Sequence, residues 1–165
     1  YLSQDTPVFD GTIKENIVFD RNVPDIEIRE ALRKVELLAL IDALPRGIET
    51  QIGEKASSLS GGERQRLALS RIWFQKSDIV IFDEATSALD NLTEETVMKE
   101  VLGYLSDITV LAIVHRFINI SMFDRIFVFR DGKIVGQGTF DELMERNEYF
   151  ARLYHNSMED CGGAF

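Results

Sequence analysis

The chain has 165 residues, enough for one compact domain or for two small lobes that share a core. With 45% hydrophobic and 28% charged residues, its composition is that of a globular protein and not of a disordered one. Asp and Glu outnumber Lys and Arg by 28 to 18, so we do not expect nucleic acid as a partner. Cys161 is the single cysteine, which excludes an internal disulfide and favours a reducing compartment.

No segment of the sequence has the length of a membrane span. The longest nearly apolar run, residues 108–114, is far shorter than the roughly 18 residues that a span needs. The N-terminus also lacks the pattern of a secretory signal. We therefore expect the chain by itself to be soluble.

The first half of the chain, to about residue 75, is predicted to form helices and loops. Asp25 is expected to cap a helix, because apolar residues follow it at helical spacing: Ile28, Leu32, Val35 and Leu38. Pro45 and Gly47 then break the pattern, and residues 46–58 read as a polar connector.

A second helix is predicted to begin at Ser60, because Ser60 and Glu63 have the spacing of a capping box. Its first two positions are Gly61 and Gly62, and each glycine costs up to about 1 kcal/mol relative to alanine inside a helix. The sequence therefore weakens a helix at the end that it has just capped, which asks for a functional reason.

The second half of the chain alternates short apolar runs with helical segments. Residues 78–82 and 108–114 lack period-two alternation, which predicts strands buried on both faces of a parallel sheet. Residues 91–106 between them read as the crossover helix of a strand-helix-strand unit.

The C-terminal part begins with a predicted hairpin. Asp131 and Gly132 suit a tight turn between two strands within residues 124–138. Thr139 and Glu142 then form a second capping box, which opens one or two closing helices. Residues 161–165 are expected to fray as a tail.

Two adjacent carboxylates, Asp83 and Glu84, end the first predicted buried strand. The carboxyl end of a parallel strand is the usual place for a ligand in such sheets. Asp83 fits the acid that holds a nucleotide's Mg²⁺, and Glu84 fits a base or an orienter for an attacking water. The pair alone leaves open the alternative that both acids cap the next helix.

The sequence "LSGGERQRLALSR", followed by "IFDEATSALD", resembles the signature motif, Walker B and D-loop of the ATP-binding cassette (ABC) ATPases. "YLSQDTPVFDGTIKENI" resembles their Q-loop, with Gln4 as the glutamine. "TQIGEKASSLSGG", with Gly53 and Glu54, is similar to a segment that touches the membrane domains in exporter-type cassettes. "IVHR" places His115 at the position of the switch histidine, and all motifs follow the family's order and spacing.

The resemblance implies the fold and its divisions. We expect an α/β, P-loop NTPase-like ABC ATPase fragment, in which a helical subdomain precedes part of a mainly parallel sheet with flanking helices and a C-terminal hairpin. Residues 1–75 would hold the Q-loop and the helical signature subdomain. Residues 76–158 would form the Walker B and switch-histidine part of the catalytic core, and residues 159–165 a flexible tail.

The resemblance also implies a nucleotide site at the signature helix. Ser60, Gly61, Gly62 and Glu63 would face the γ-phosphate of an ATP held mainly by a second nucleotide-binding domain in a head-to-tail dimer. A helix N-terminus with bare N–H groups is a favourable anion site, which gives the two glycines a use. Asp90 would belong to the loop that crosses the dimer interface.

The remaining roles implied by the resemblance are catalytic. Asp83 would bind Mg²⁺. Gln4 would help bind Mg²⁺ or the attacking water and would couple to the transmembrane domains. Glu84 would activate or orient the water. His115 would contact the γ-phosphate and stabilise the charge that develops on transfer.

The phosphate-holding GxxxxGK[ST] loop of these ATPases does not occur in the sequence, since the one Gly-Lys pair, Gly132-Lys133, is followed by Ile. We therefore expect the chain to correspond to the C-terminal two-thirds or so of the domain. By itself it should neither bind ATP tightly nor hydrolyse it. Because its strands would lack flanking neighbours and would have unpaired edges, we also expect the chain to self-associate. The intact parent would be an exporter ATPase on the cytoplasmic face of a membrane, with an unknown substrate.

Two alternatives remain open from the sequence. A DNA-repair or chromosome-type ABC ATPase shares the signature and Walker B motifs, but such proteins usually split the cassette with a coiled coil, and no heptad tract is present. A non-catalytic cassette that acts as an interaction module is the second alternative, although Glu84 and His115 are intact.

Overall fold

The computed structural model describes residues 1–4, 7–53 and 59–162. The chain packs as two compact units, Tyr1–Val114 and His115–Phe165, called here the first and second units and described separately. The division at residue 75 that the composition suggests stays a prediction. In the part of the chain that the structure describes, no helix is long and apolar enough to cross a membrane.

The first unit contains five helices among its described residues. They are α1 (Ile13–Val18), α2 (Asp25–Lys34), α3 (Leu38–Asp42), α4 (Gly61–Ser70) and α5 (Asn91–Tyr104), with 3-10 turns at Gly47–Glu49 and Arg71–Phe74. The helices α1 to α4 share an apolar core of side chains that have no exposed surface: Ile13, Ile17, Ile28, Leu32, Leu37, Ile41, Leu67 and Leu69.

The predicted helix after Asp25 is in fact two helices, and Asp25 does not cap the first. Pro24 occupies the N-cap position, and the Asp25 carboxylate in the first turn accepts a hydrogen bond from Lys14 Nζ at 2.6 Å. An acidic residue is favourable there because of the helix dipole. The chain turns at Glu36, whose φ is +54°, so Leu37 is fully buried where the spacing predicted Leu38.

The main sheet of the first unit is parallel and has the order β1 (Leu2–Ser3), β4 (Ile79–Asp83), β5 (Thr109–Ile113). Helix α5 connects β4 to β5, which confirms the predicted strand-helix-strand unit. A separate two-stranded antiparallel pair joins β2 (Gly11–Thr12) to β3 (Gln51–Ile52).

The prediction that both faces of the main strands are buried was wrong for this chain. In β4, Val80 and Phe82 are buried, but Ile79 is 59% exposed. In β5, Leu111 and Ile113 are 53% and 48% exposed. An apolar run indicates that a strand can be buried on both faces. Whether it is buried depends on the helices and loops that pack against each face.

The second unit contains the hairpin β6 (Ile126–Arg130) and β7 (Lys133–Gly138), then α6 (Phe140–Arg146) and α7 (Glu148–Gly162). Asp131 and Gly132 both have positive φ, as a tight turn of the predicted kind requires. The capping box of Thr139 and Glu142 is also confirmed. Helix α7 continues to Gly162, so the tail predicted for residues 161–165 does not begin at Cys161; residues 163–165 lie outside the described part.

The core of the second unit lies between the hairpin and its helices. The buried side chains are Ile126, Val128, Leu143, Phe150 and Ile120. The other face of the hairpin is open, since Phe127 and Phe129 are 47% and 63% exposed.

Candidate active site

The carboxyl ends of the three parallel strands place two of the predicted site segments side by side. Ser3 of β1 and Ile113 of β5 both pair with Asp83 of β4. Gln4 therefore follows β1, and Glu84 follows β4, at the same edge of the sheet. This edge is where ligands bind in parallel α/β sheets.

Glu84 makes a sharp turn at the end of β4. Its φ is +51°, in the left-handed region that residues with a side chain rarely adopt. The turn is fixed by two backbone hydrogen bonds, because Glu84 N–H donates to the Ile113 carbonyl at 3.2 Å and the Glu84 carbonyl accepts from Ser87 N–H at 3.1 Å. Backbone strain of this kind concentrates at functional sites, so the conformation supports a functional role for Glu84.

Asp83 has an acceptor that is already in use. Its Oδ2 accepts a hydrogen bond from the Tyr1 hydroxyl at 2.6 Å, and this bond to the carboxylate raises the pKa of Tyr1. In the described residues, no three His, Cys, Asp or Glu side chains cluster as a closed metal site. A nucleotide-bound Mg²⁺ takes only one or two protein ligands beside water and phosphate oxygens, so Asp83 and the exposed Gln4 fit such an ion.

The N-terminus of α4 has the predicted capping box. Ser60 Oγ accepts from Glu63 N–H at 3.3 Å, and Glu63 Oε2 accepts from Ser60 N–H at 2.7 Å. The box leaves Ser60 on the exposed surface, and it holds the first turn without any side chain at Gly61 or Gly62. The first turn of α4 is therefore ordered by its cap, while Gly61 and Gly62 place no side chain at the helix end.

The structure shows why position 62 is a glycine, which the sequence alone did not. A Cβ atom at Gly62 would lie 2.9 Å from the Ala88 carbonyl oxygen, a distance at which the backbone of the loop would have to shift. At Gly61, the same atom would lie 3.5 Å from Ala88 Cβ, which is ordinary contact. Gly62 therefore allows close approach of the loop after Glu84, whereas the described residues place no contact at position 61 that requires glycine.

A side chain that sequence reasoning missed, Gln65, joins three segments of the site. Its Nε2 donates to the Gln4 carbonyl at 3.2 Å and to Ser87 Oγ at 3.1 Å. Its Oε1 accepts from Ala88 N–H at 2.8 Å. Gln65 is only 5% exposed, so the Q-loop segment, the loop after Glu84 and the signature helix α4 meet at one buried amide.

A signal for Gln65 was present in the sequence. Gln65, Ala68, Leu69 and Ile72 have the spacing of one helix face, and all four are buried. A polar side chain on an apolar stripe needs partners, because burial without hydrogen bonds is costly. The pattern indicates that Gln65 is hydrogen-bonded, but it does not identify the partners, which are 61, 22 and 23 residues away in the chain.

Asp90 caps helix α5. Its Oδ1 accepts from Thr93 N–H at 3.0 Å, and this bond from the backbone lowers the pKa of Asp90. The residue predicted to lie on the loop that crosses the dimer interface thus also begins a helix within this chain, and it is exposed.

The segment that follows Gln4 is held by Arg71, the last residue of the signature sequence. Its guanidinium donates to the carbonyls of Asn16 at 2.8 Å and Pro7 at 3.0 Å, and it lies over the rings of Phe9 and Phe19. Burial lowers the pKa of Arg71. The end of α4 therefore supports the segment after the Q-loop, much as Gln65 supports the Q-loop itself.

The exporter-type segment is described only in part, because Glu54 lies outside the described residues. Gly53 has φ +128°, and a Cβ atom there would lie 2.8 Å from Asp10 Cα. With the pairing of β3 to β2, this close approach brings the segment against the one that follows the Q-loop.

His115 is the first residue of the second unit and is exposed. Its position relative to the carboxylates stays a prediction. The structure thus brings together Gln4, Asp83, Glu84 and the N-terminus of α4 within the first unit, and it leaves the contribution of His115 to experiment.

Comparison with known proteins agrees with the motifs. The family model described as ABC transporter matches residues 1–87, which is more than half of the chain. The ATP-dependent lipid A-core flippase of Neisseria meningitidis is 41% identical over 161 residues, or 97% of this chain and 26% of the flippase. The mitochondrial iron-sulfur clusters transporter ATM1 of Kluyveromyces lactis is 42% identical over 158 residues, or 93% of this chain and 22% of that protein.

Comparison with solved structures gives the same result for the fold. The structure of a bacterial Atm1-family ABC exporter with ATP bound matches with a TM-score of 0.84 and 33% identity, covering 94% of this chain and 28% of the exporter chain. The chain therefore spans about a quarter of the length of the relatives it matches, and the α/β cassette fold predicted from the motifs is confirmed. The chain belongs to the ABC transporter family and carries the signature-motif and Walker B region of an exporter-type nucleotide-binding domain.

Proposed function

We propose that the chain is the part of an ABC exporter's ATPase domain that completes the nucleotide site and couples ATP hydrolysis to export across a membrane. One observation carries the proposal: Gln65 of α4 joins the Q-loop segment to the loop that follows Glu84, at the edge of the sheet where β1 and β4 end. The relatives' names give different cargoes, lipid A-core and iron-sulfur clusters, so the proposal extends to export and not to a cargo.

The chemistry assigned to the carboxylate edge is phosphoryl transfer to water. Glu84, held in its left-handed turn, orients the attacking water and accepts its proton. Gln4, at the end of the neighbouring strand, assists in holding that water. His115 contacts the γ-phosphate and stabilises charge as the bond breaks.

Asp83 and Gln4 are the residues that would hold Mg²⁺. The ion supplies neutralisation of charge on the phosphates when nucleotide is bound. The Tyr1 hydroxyl bonds Asp83 Oδ2, and the second carboxylate oxygen, Oδ1, would be the one to bind the ion.

The N-terminus of α4 is assigned to a nucleotide held by a second nucleotide-binding domain. Ser60 is exposed at this helix end, and the described residues place no contact at Gly61 that requires glycine. Asp90 lies on the loop that we place at this dimer interface. The transmembrane domains of the exporter are the other proposed partners, and the domain would lie on the cytoplasmic face of the membrane.

The chain by itself is proposed to be inactive as an ATPase, because the GxxxxGK[ST] loop is not in its sequence. Its half-exposed strand residues, among them Leu111 and Phe129, are proposed to make the isolated chain self-associate. Sedimentation velocity of wild type and Leu111→Gln would check this, since the variant should be more monomeric. A wild-type chain that stays monomeric at high concentration would contradict it.

The proposed activity is tested by ATP turnover of the full-length polypeptide that carries this segment, with Glu84→Gln as the variant. We expect turnover to fall at least about a hundredfold, because general acid-base groups contribute that much or more. Glu95→Gln, on the exposed surface of α5, is the matched control and should turn over ATP at the wild-type rate. Equal activity in Glu84→Gln and wild type would contradict the assignment of Glu84, and a wild type without turnover would contradict the ATPase itself.

A further inference from the structure

The Gln65 side chain is buried and has no assigned part in the chemistry. It nevertheless makes three hydrogen bonds to residues of two functional loops. Its amide nitrogen bonds the backbone carbonyl of Gln4 and the hydroxyl of Ser87, and its amide oxygen bonds the backbone N–H of Ala88. A buried amide that is satisfied in this way fixes the relative position of the groups around it.

Each of the segments that meet at Gln65 carries predicted site residues. Gln4 provides its own carbonyl to the bond, so its backbone cannot move without breaking contact with α4. Ser87 and Ala88 lie between Glu84 and Asp90 in the chain. Gln65 itself is one turn from Gly61 and Gly62 at the N-terminus of α4.

The packing around Gln65 leaves little freedom for these segments to move separately. Gly62 lies so near the Ala88 carbonyl that a Cβ atom there would be 2.9 Å from that oxygen. Ala88 thus has Gly62 close to its carbonyl oxygen and Gln65 Oε1 bonded to its N–H. Any shift of α4 must be shared by the loop that carries Ser87 and Ala88.

We propose that Gln65 is a positioning residue for ATP hydrolysis, which locks the Q-loop segment and the loop from Glu84 to Asp90 to the signature helix α4, so that the three align as one unit. The inference rests on the proposed ATPase function and adds to it a residue that acts through others. Gln65 touches neither nucleotide nor water in this account. Its loss should misplace catalytic groups while the contacts that bind ATP remain.

Three variants separate the arms of this network. Gln65→Met keeps the length of the side chain and removes all three hydrogen bonds. Gln65→Glu keeps acceptors for Ala88 N–H and for the Ser87 hydroxyl, but it turns the bond to the Gln4 carbonyl into oxygen-oxygen repulsion. Ser87→Ala removes only the Ser87 bond.

A matched control lies on the same helix. Arg66 donates to the Glu36 carbonyl at 2.8 Å, on the side of α4 that faces the other helices. Arg66→Gln therefore removes a hydrogen bond from the same helix to a backbone carbonyl without touching the Q-loop or the loop after Glu84.

The measurement is kcat and KM for ATP in the full-length polypeptide, with the melting temperature of each variant. For Gln65→Met we expect kcat to fall at least about tenfold, with KM within about twofold of wild type, per mole of folded enzyme. Gln65→Glu should lose at least about threefold in kcat, Ser87→Ala less than that, and Arg66→Gln less than twofold. If Gln65→Met does not fold, the kcat order of Gln65→Glu, Ser87→Ala and Arg66→Gln decides the test.

A purely structural role predicts a different result. Gln65→Met would then lower the melting temperature while folded enzyme kept its wild-type kcat, and that outcome would overturn the proposal. A large rise in KM with unchanged kcat would also overturn it, because it would place Gln65 in ATP binding. Wild-type enzyme without ATP turnover would instead refute the proposed function, so the two failures are distinguishable.

Discussion

The helical region of the first unit and its parallel strands differ in how far their apolar side chains are buried. In α1 to α4 the apolar side chains are fully enclosed by one another, as for Leu32 and Leu67. In β4 and β5 several apolar side chains are about half-exposed, as for Ile79 and Leu111. The signature helix thus rests on a core that this chain supplies by itself, while the strands that carry Asp83 and Glu84 present apolar surface for further cover.

The largest expected effect comes from a matched pair of truncations. Leu32→Ala should lower the free energy of unfolding by about 2–5 kcal/mol, because it opens a cavity in an enclosed core. Leu111→Ala, at 53% exposure, should cost less than about 1 kcal/mol. Urea denaturation of the chain followed by circular dichroism measures both, and equal losses would remove the contrast between the two regions.

Substitutions at the two glycines of α4 test the contact between α4 and the loop that follows Glu84. Gly62→Ala should cost about 1–3 kcal/mol of unfolding free energy, because the new Cβ meets the Ala88 carbonyl oxygen at 2.9 Å. Gly61→Ala should be neutral or stabilising by up to about 1 kcal/mol, because alanine is the better helix former and its Cβ meets only ordinary contact.

The same pair of variants separates the two reasons for glycine. If Gly61→Ala leaves stability intact but weakens ATP turnover in the full-length polypeptide, its glycine serves the nucleotide. If Gly61→Ala destabilises the fold as much as Gly62→Ala does, the distinction that the structure makes between positions 61 and 62 is wrong.

The smallest effect is a pH dependence at the cap of α5. The bond from Thr93 N–H lowers the pKa of Asp90 in the folded chain below its value near 3.9 in the unfolded chain. The stability from this ionised cap is therefore complete above the unfolded pKa and is lost as pH falls through the folded pKa.

Asp90→Asn provides the comparison, since asparagine is also a good N-cap and does not titrate. The difference in unfolding free energy between wild type and Asp90→Asn should be constant from about pH 5 to 8 and should shift against wild type below about pH 4. A difference that is flat down to pH 3 would show that the cap bond does not depend on ionisation.

Local signals in the sequence predicted local structure well. The predicted capping boxes at Ser60 and Thr139 and the predicted turn at Asp131-Gly132 are confirmed. Each is decided within four residues by hydrogen bonds or backbone angles that the residue types themselves favour. The strand-helix-strand unit was predictable for a similar reason, because apolar runs and a helical pattern alternate with short connections.

The misses come from partners that are distant in the chain. Asp25 was expected to cap α2, but Lys14 pairs with it and Pro24 takes the cap. The burial of β5 was overestimated, because the apolar run does not indicate whether another element packs against each face of the strand. Gln65 lay on a readable apolar stripe, yet its bonds to Gln4 and Ser87 depend on the tertiary fold.

The central claim, that this chain holds the catalytic and signature half of an ATP site and needs the phosphate-holding half, is tested most directly by one measurement of ATP turnover. The chain is assayed alone and as part of the full-length polypeptide that carries a GxxxxGK[ST] loop, each as wild type and Glu84→Gln. The account predicts turnover at the level of buffer for the chain alone, and turnover that depends on Glu84 in the longer protein. Turnover by the chain alone that disappears in Glu84→Gln would contradict it.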